Sequence, residues 1–364
     1  MAAIYGSYEH IWNKSIDEEY RLLLSFLKKD FPTINLIGGV VIATFAPVIM
    51  VSNAIVITAI WKDPYKQLRA SPSNIIIASM AVCDFLVGAV CSFMQCYWLL
   101  SMAVQADFSF YAASCAFGIG LFLIGVSVFH VLALTIDRVI SVTNPLLYKV
   151  RVTKKRVTYT VSIIWIFFII MGGLTVPLYN HYYIHSILGA FIVLFAVLAV
   201  SFFSFYIVLK VRQQQHELKE VNAISMKNGS IKLREKKLTK SIVLIAVILQ
   251  VCFAPLCIFS MLLLMCSVCH GHVNIIIGGY CLSLVLTHVN SCLNPFIYAF
   301  RLPKFRKPVS LVVKWVFCCK PIIVHLNECP ESSATSPKMN RTNILTIPDR
   351  LNSPRLNHRH CSAF

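Results

Sequence analysis

Seven stretches of this chain are long and apolar enough to cross a lipid bilayer, and no other feature limits its fold as much. They lie at roughly 36–61, 72–98, 110–142, 157–178, 184–210, 238–265 and 273–299. A membrane-spanning helix needs about 20 mostly apolar residues at a rise of about 1.5 Å each. Backbone polar groups cannot stay unpaired in lipid, so each run is expected to be helical. Strands of a membrane barrel would alternate apolar and polar residues, and these runs do not. Composition agrees, with 57% hydrophobic residues, 13% charged residues and a mean hydropathy of +0.72. A soluble domain carries about 25% charged residues. The expected fold class is all-α, a seven-transmembrane helix bundle in a lipid bilayer.

The formal charge of +18 would suggest nucleic acid if it were spread over a surface. Its placement says otherwise. Lys62, Lys66 and Arg69 follow the first run, and Lys149, Arg151, Lys154, Lys155 and Arg156 follow the third. Nine more Lys and Arg lie between Lys210 and Lys240, while the connections 99–109, 177–186 and 265–274 hold none. Basic loops stay on the cytoplasmic side, which puts the N-terminus outside and the C-terminus inside. No basic face with interleaved aromatics remains, so nucleic acid is not an expected partner. Residues 1–35 lack the basic start, apolar core and cleavage site of a signal peptide, so the first run is expected to act as its own targeting signal. Asn13-Lys14-Ser15 is a glycosylation sequon on the outer side, whereas those at Asn228 and Asn340 lie inside. The expected organisation is an extracellular tail over 1–35, the bundle over 36–300, a short amphipathic cytoplasmic helix over 301–317 and a disordered tail over 318–364. No internal repeat is visible, which weakens a transporter reading.

Polar residues inside the membrane are rare and expensive, so each is a functional candidate. Asp84 sits in the middle of the second run, Asn53 in the first and Ser127 in the third. Asn290, Ser291 and Asn294 lie in the seventh. These groups are expected to converge around Asp84. A buried carboxylate needs partners or a cation, and oxygen ligands suit a hard cation such as Na⁺. The alternative is a hydrogen-bonded network that packs helices around a protonated Asp84.

The third run ends in Asp137-Arg138-Val139, and Glu235 opens the sixth on the same side. Arg138 held by both acids would clasp two helices, and a clasp of a few kcal/mol can act as a switch. The bland reading is an interfacial pair, since long cations snorkel there. Pro255 and Pro295 lie inside the sixth and seventh runs, where each removes a helical hydrogen bond and bends the helix.

Taken together, Asn53, Asp84, Asp137-Arg138, Trp165, Tyr206, Pro255 and Asn294-Pro295-Phe296-Ile297-Tyr298 resemble the helix signatures of the rhodopsin-like (class A) G-protein-coupled receptors, one per helix and in order. The resemblance covers about residues 36–315. It implies a plasma-membrane receptor, not an enzyme, that couples an extracellular ligand to a heterotrimeric G protein. Arrestin and receptor kinases are then expected on the cytoplasmic tail. It implies a Na⁺ pocket at Asp84, Ser127, Asn290, Ser291 and Asn294, and no other cofactor. Tyr206 and Tyr298 match the activation tyrosines. Thr287-His288 through Arg301 resemble helix seven of adenosine receptors, and Cys266-Ser267-Val268-Cys269-His270 their third outer loop. In that family the pair matching Thr287 and His288 contacts ribose. A ligand is therefore expected near His288, Thr287, Phe253, Leu256, Ser260, Tyr182 and Tyr183.

Several positions depart from adenosine receptors. Ile42 stands where they carry a Glu, Ser260 where they carry an adenine-binding Asn, Phe253 in place of Trp, and Leu198 in place of Pro. Gly120 replaces the Asp that marks amine receptors, and His288 the retinal-binding Lys of opsins. Cys115 lies 23 residues before Arg138, two short of the family's disulfide spacing. The second outer loop, around 178–186, lacks Cys. Both features resemble melanocortin and lysolipid receptors. Met94, Ala113 and Phe117 replace the acidic residues that a melanocortin peptide site needs.

Cys266-x-x-Cys269-His270 would also fit haem attachment or half a zinc site, but a short outer loop favours a local disulfide. Cys318-Cys319 follow the amphipathic segment and resemble the palmitoylated cysteines after the family's helix eight. Two rival readings remain: a channel or transporter using the Asp84 cluster, and a receptor-fold protein that no longer signals.

Overall fold

The computed structural model describes residues 31–63, 65, 67–106, 110–175, 182–220, 229–266 and 273–318. Among these residues every regular element is helical. The helices are α1 (Pro32–Lys62), α2 (Ser73–Leu86), α3 (Ser92–Ala103), α4 (Phe110–Thr143), α5 (Pro145–Arg151), α6 (Lys154–Leu174), α7 (Tyr182–Glu220), α8 (Gly229–Met265), α9 (Val273–Arg301) and α10 (Pro303–Cys318). A π turn over Val87–Cys91 joins α2 to α3, so the two form one span, Ser73–Ala103. Seven helical stretches are then long and apolar enough to cross a membrane.

The spans close into a ring. α1 packs on α2, α3 and α9, α9 packs on α8, and α8 on α7. α4 runs through the middle and touches α2, α6, α7 and α8. Burial follows this plan: 61% of the most apolar window of the third span is buried, against 28% for the first and fourth. The main core joins Val128, Val131 and Leu134 of α4 to Ile76 and Met80 of α2, and to Leu249 and Phe253 of α8. Large apolar side chains such as Ile163, Phe195, Phe205 and Phe300 point outwards and are exposed. In water that surface would aggregate; in a bilayer the lipid tails cover it.

Gly88, inside the π turn, shows why the first two spans pack tightly. A Cβ there would lie 2.9 Å from Met50 Cγ and 3.0 Å from both Ala46 O and Met50 N. Only glycine lets the backbone of α1 come that close. Within the widened turn the Val87 carbonyl accepts from both the backbone N–H and the hydroxyl of Ser92, the latter at 2.9 Å. Neither the turn nor its cap was legible as a break in the apolar run.

The first basic loop is held from inside. Asp63 takes the left-handed conformation (φ 35°). Its carboxylate accepts hydrogen bonds of 3.0 Å from the backbone N–H of Gln67, Leu68 and Arg69. Arg69 in turn donates to Ile60 O at 3.2 Å and to Trp61 O, capping the end of α1. After α9, α10 carries two faces, with Phe305, Val309 and Val312 buried and Arg306, Lys307 and Lys314 exposed. This is the expected amphipathic helix eight.

Candidate functional site

The polar groups of three spans meet in the middle of the bundle. Asp84 is fully buried. Ser291 Oγ donates to its Oδ1 at 2.7 Å, and Asn294 Nδ2 to its Oδ2 at 2.8 Å. Asn53 Nδ2 donates to Ile49 O at 3.0 Å and to Ser291 O at 3.1 Å, which adds α1 to the same knot. The knot is possible because Ser291 and Asn294 are three residues apart and so share one face of α9. Ser127 and Asn290 are buried as well, yet among the described residues neither side chain has a hydrogen-bond partner. Ser127 Oγ, Asn53 Oδ1, Asn290 Oδ1 and Asn294 Oδ1 are thus buried oxygens without a partner. Buried oxygens of this kind are the donors that a hard cation or trapped water requires.

A second centre lies near the C-terminal end of α4. Arg138 Nε donates to Asp137 Oδ2 at 2.9 Å, and Nη2 pairs with the same oxygen. Two hydroxyls complete a cage. Ser73, at the start of α2, donates to Asp137 Oδ2 at 2.9 Å, and Tyr148, in α5, donates to Oδ1 at 2.9 Å. Both then accept from Arg138 Nη2, at 2.8 and 3.1 Å. Each hydroxyl gives its one proton to the acid and takes one from the base, so the ring is closed. Burial, reinforced by the Asp137 charge, pushes the Tyr148 phenol up from its ordinary value, so it stays a donor. Ser73 and Tyr148 were not singled out from sequence, because nothing in the string places a loop tyrosine beside Asp137. The expected second clasp cannot be followed, because the Glu235 side chain lies outside the described residues.

Tyr298 is fully buried, donates to Met80 Sδ at 3.3 Å and packs against Phe305 of α10, with ring centroids 6.0 Å apart. Tyr206 is not brought into this cluster. It is 40% exposed, next to the outward-facing Phe202, Phe205 and Leu209 of α7. Pro255 and Pro295 stand inside α8 and α9.

Of the residues expected near a ligand, Thr287 and His288 are buried, Phe253 lies in the main core, and Leu256 and Ser260 are half-buried. Thr287 Oγ1 donates to Leu284 O at 2.7 Å, and His288 Nδ1 lies 3.0 Å from the same carbonyl. Among the described residues His288 Nε2 has no hydrogen-bond partner. The side chains of Tyr182 and Tyr183 fall outside the described residues, as do Asn13, Cys269, Cys319 and the Cys318 side chain. Cys266 is disulfide-bonded.

A further polar chain went unnoticed in the sequence. Trp165 Nε1 donates to Ser79 Oγ at 2.7 Å, Ser79 meets His130 Nε2 at 2.8 Å, and His130 Nδ1 meets Val126 O at 2.6 Å. A carbonyl only accepts, so Nδ1 carries the proton and Nε2 accepts from Ser79. The signal was available: a histidine inside an apolar run needs partners.

A membrane-spanning helical bundle with a buried polar knot and a caged Asp-Arg pair at one mouth is the build of a seven-helix receptor. The profile described as "7 transmembrane receptor (rhodopsin family)" matches residues 52–181 and 173–298, and the chain belongs to that family. It is a multi-pass G-protein-coupled receptor that answers an extracellular ligand, and it is not an enzyme. Similar proteins include Trace amine-associated receptor 9 of Rattus norvegicus, 27% identical over 300 residues, covering 72% of this chain and 82% of the relative. Adenosine receptor A3 of Ovis aries is 25% identical over 299 residues, covering 75% and 88%. Adenosine receptor A2a of Canis lupus familiaris is 24% identical over 299 residues, covering 73% and 69%.

Proposed function

We propose that this receptor is a plasma-membrane switch with its N-terminus outside, driven by a small uncharged or adenosine-like molecule that enters at the outer helix ends near His288 and Thr287. The caged Arg138 is the observation that carries the reading. A cation bound this tightly at the cytoplasmic mouth favours a closed bundle, and a ligand that prefers the open arrangement shifts the balance. Pro255 gives α8 a bend about which its cytoplasmic end can swing, and the buried Tyr298 follows that movement. The opened mouth, lined by basic loops, takes the G protein. Arrestin and receptor kinases act on the tail beyond α10, and Cys318 and Cys319 carry palmitate. Asn13 carries the glycan, and the outer Cys266–Cys269 pair is a disulfide.

Asp84, Ser127, Asn290, Ser291 and Asn294 would hold Na⁺, which supplies a positive charge that makes the closed knot more stable. The unpartnered oxygens of Ser127, Asn290 and Asn294 support this. The test needs no ligand. The melting temperature of the purified receptor is expected to rise when choline chloride is replaced by sodium chloride, and Asp84→Asn should remove the rise. An equal rise in both proteins sinks the pocket. The ligand class is sought by screening purine nucleosides, lipids and peptides on expressing cells with cAMP and Ca²⁺ readouts.

A further inference from the structure

Outside the Asp84 knot, the buried polar atoms without a partner include His288 Nε2, Gln95 Oε1 and Trp98 Nε1, all in the half of the bundle that carries His288. We infer that Gln95 of α3 and His288 of α9 form the two ends of one ligand subsite, which accepts an uncharged molecule presenting hydrogen-bond donors and not an amine cation or a carboxylate. The inference rests on the reading that ligand enters at this end, and it adds the residue on the second span and the chemistry of the guest.

Both ends are acceptors. His288 Nδ1 faces the Leu284 carbonyl, which can only accept, so Nδ1 bears the proton of the neutral ring and Nε2 presents a lone pair. Gln95 Oε1 is a second lone-pair oxygen, on a side chain only 9% exposed. A buried polar atom left unpaired is unfavourable, so these positions favour a guest that pairs them. The indole N–H of Trp98 offers one donor nearby, for a single acceptor on the guest.

The backbone sets where the two ends lie. Asp84 and Ser291 are hydrogen-bonded, so they mark one level on the second and seventh spans. His288 is three residues outward from Ser291, and Gln95 eleven residues outward from Asp84. At about 1.5 Å per residue the two differ in height by roughly 12 Å, the length of a nucleoside-sized molecule. In an unbroken α-helix eleven residues make about three turns and would stack Gln95 over Asp84. The π turn between them re-aims the outer segment, and the Gln95 amide lies 3.6 Å from where a Cβ of Gly120 would stand on α4. π turns are frequent at functional sites for this reason.

Charge decides the class of guest. The outer halves of the second, third and seventh spans contain no Asp, Glu, Lys or Arg. The buried charged side chains among the described residues are Asp63, Asp84, Asp137 and Arg138, all at or below the polar knot. An ammonium or carboxylate taken in here would lose its water with no counter-ion, which is strongly unfavourable. A hydroxyl or amide N–H meets both lone pairs without that penalty.

The test uses full-length receptor on intact cells. Val104→Cys, at a residue 70% exposed beyond α3, reports whether this end faces outside. It should react with the membrane-impermeant trimethylammonium-ethyl methanethiosulfonate; failure there overturns the orientation and not the subsite. Gln95→Cys and His288→Cys should react with the neutral hydroxyethyl reagent at least tenfold faster than wild-type background, and at least tenfold faster than with the trimethylammonium reagent. If Val104→Cys reacts and neither inner cysteine does, the subsite is overturned. Equal rates with neutral and cationic reagents overturn the ligand class. A second measurement uses adenosine and phenylethylamine as probes in a cAMP assay. An adenosine response shifted at least tenfold by Gln95→Leu and by His288→Leu supports the subsite, and a phenylethylamine response that survives both changes sinks it.

Discussion

Tyr148 donates a 2.9 Å hydrogen bond to Asp137 across the turn that ends α4, so the residue beside Arg138 is held by the connection that follows it. Among the described residues the latch is therefore local. Arg138 is bound by its own neighbour, by Ser73 at the foot of α2 and by Tyr148 in α5.

Tyr148→Phe and Ser73→Ala should each raise basal G-protein activation several-fold. Each removes one donor to a buried carboxylate, a bond type worth about 1.5–3 kcal/mol, and at the half-buried Tyr148 part of that is recovered by water. The check is basal GTPγS binding per surface receptor. Wild-type basal activity in both variants would mean that the cage does not hold the closed state.

Glu235→Ala distinguishes a local latch from one that reaches α8. If Arg138 also reaches Glu235, the basal rate should rise in this variant too, and the double variant with Tyr148→Phe should exceed either single one. No rise with Glu235→Ala, alongside a rise with Tyr148→Phe, would place the whole latch in the Ser73–Asp137–Tyr148 set.

Gly88→Ala should lower the melting temperature of the purified receptor by several degrees. The added methyl would sit 3.0 Å from backbone atoms of α1, and overpacking of this kind costs about 1–3 kcal/mol. The matched control is Gly173→Ala, where a Cβ would meet nothing within 4 Å. Equal melting temperatures for the two variants would contradict the close approach.

His130→Leu should destabilise the receptor by about 1–3 kcal/mol, because it removes the acceptor for the Ser79 hydroxyl in a buried chain. Thermal unfolding in detergent measures it. An unchanged melting temperature would mean that the Ser79 hydroxyl finds another acceptor.

What could be read from the string, and what could not, divides along physical lines. The seven spans were legible because lipid demands length and apolarity together. The Asp84–Ser291–Asn294 knot was legible because polar groups in such runs have few places to go. The π turn was not, since Val87–Cys91 is as apolar as its flanks and its extra residue leaves no mark on composition. Ser73 and Tyr148 were missed because hydroxyls at a membrane boundary look like ordinary solvated residues. Tyr206 matched a family signature, yet its helix position sets it beside outward-facing phenylalanines. A motif names a residue type but not which way its helix is turned. The unpaired lone pairs of Gln95 and His288 were not legible, because burial and hydrogen bonding needed coordinates.

The π turn at Val87–Cys91 gives the second span two phases instead of one. Inward of it, the azimuth is locked by Asp84 to the seventh span; outward of it, Gln95 keeps a different azimuth, facing Gly120. Deleting a single residue within the turn would leave the inner phase alone and rotate the outer one by about 100°. Sequence change in the turn can thus re-aim the outer half of the second span without disturbing the Asp84 contacts of its inner half.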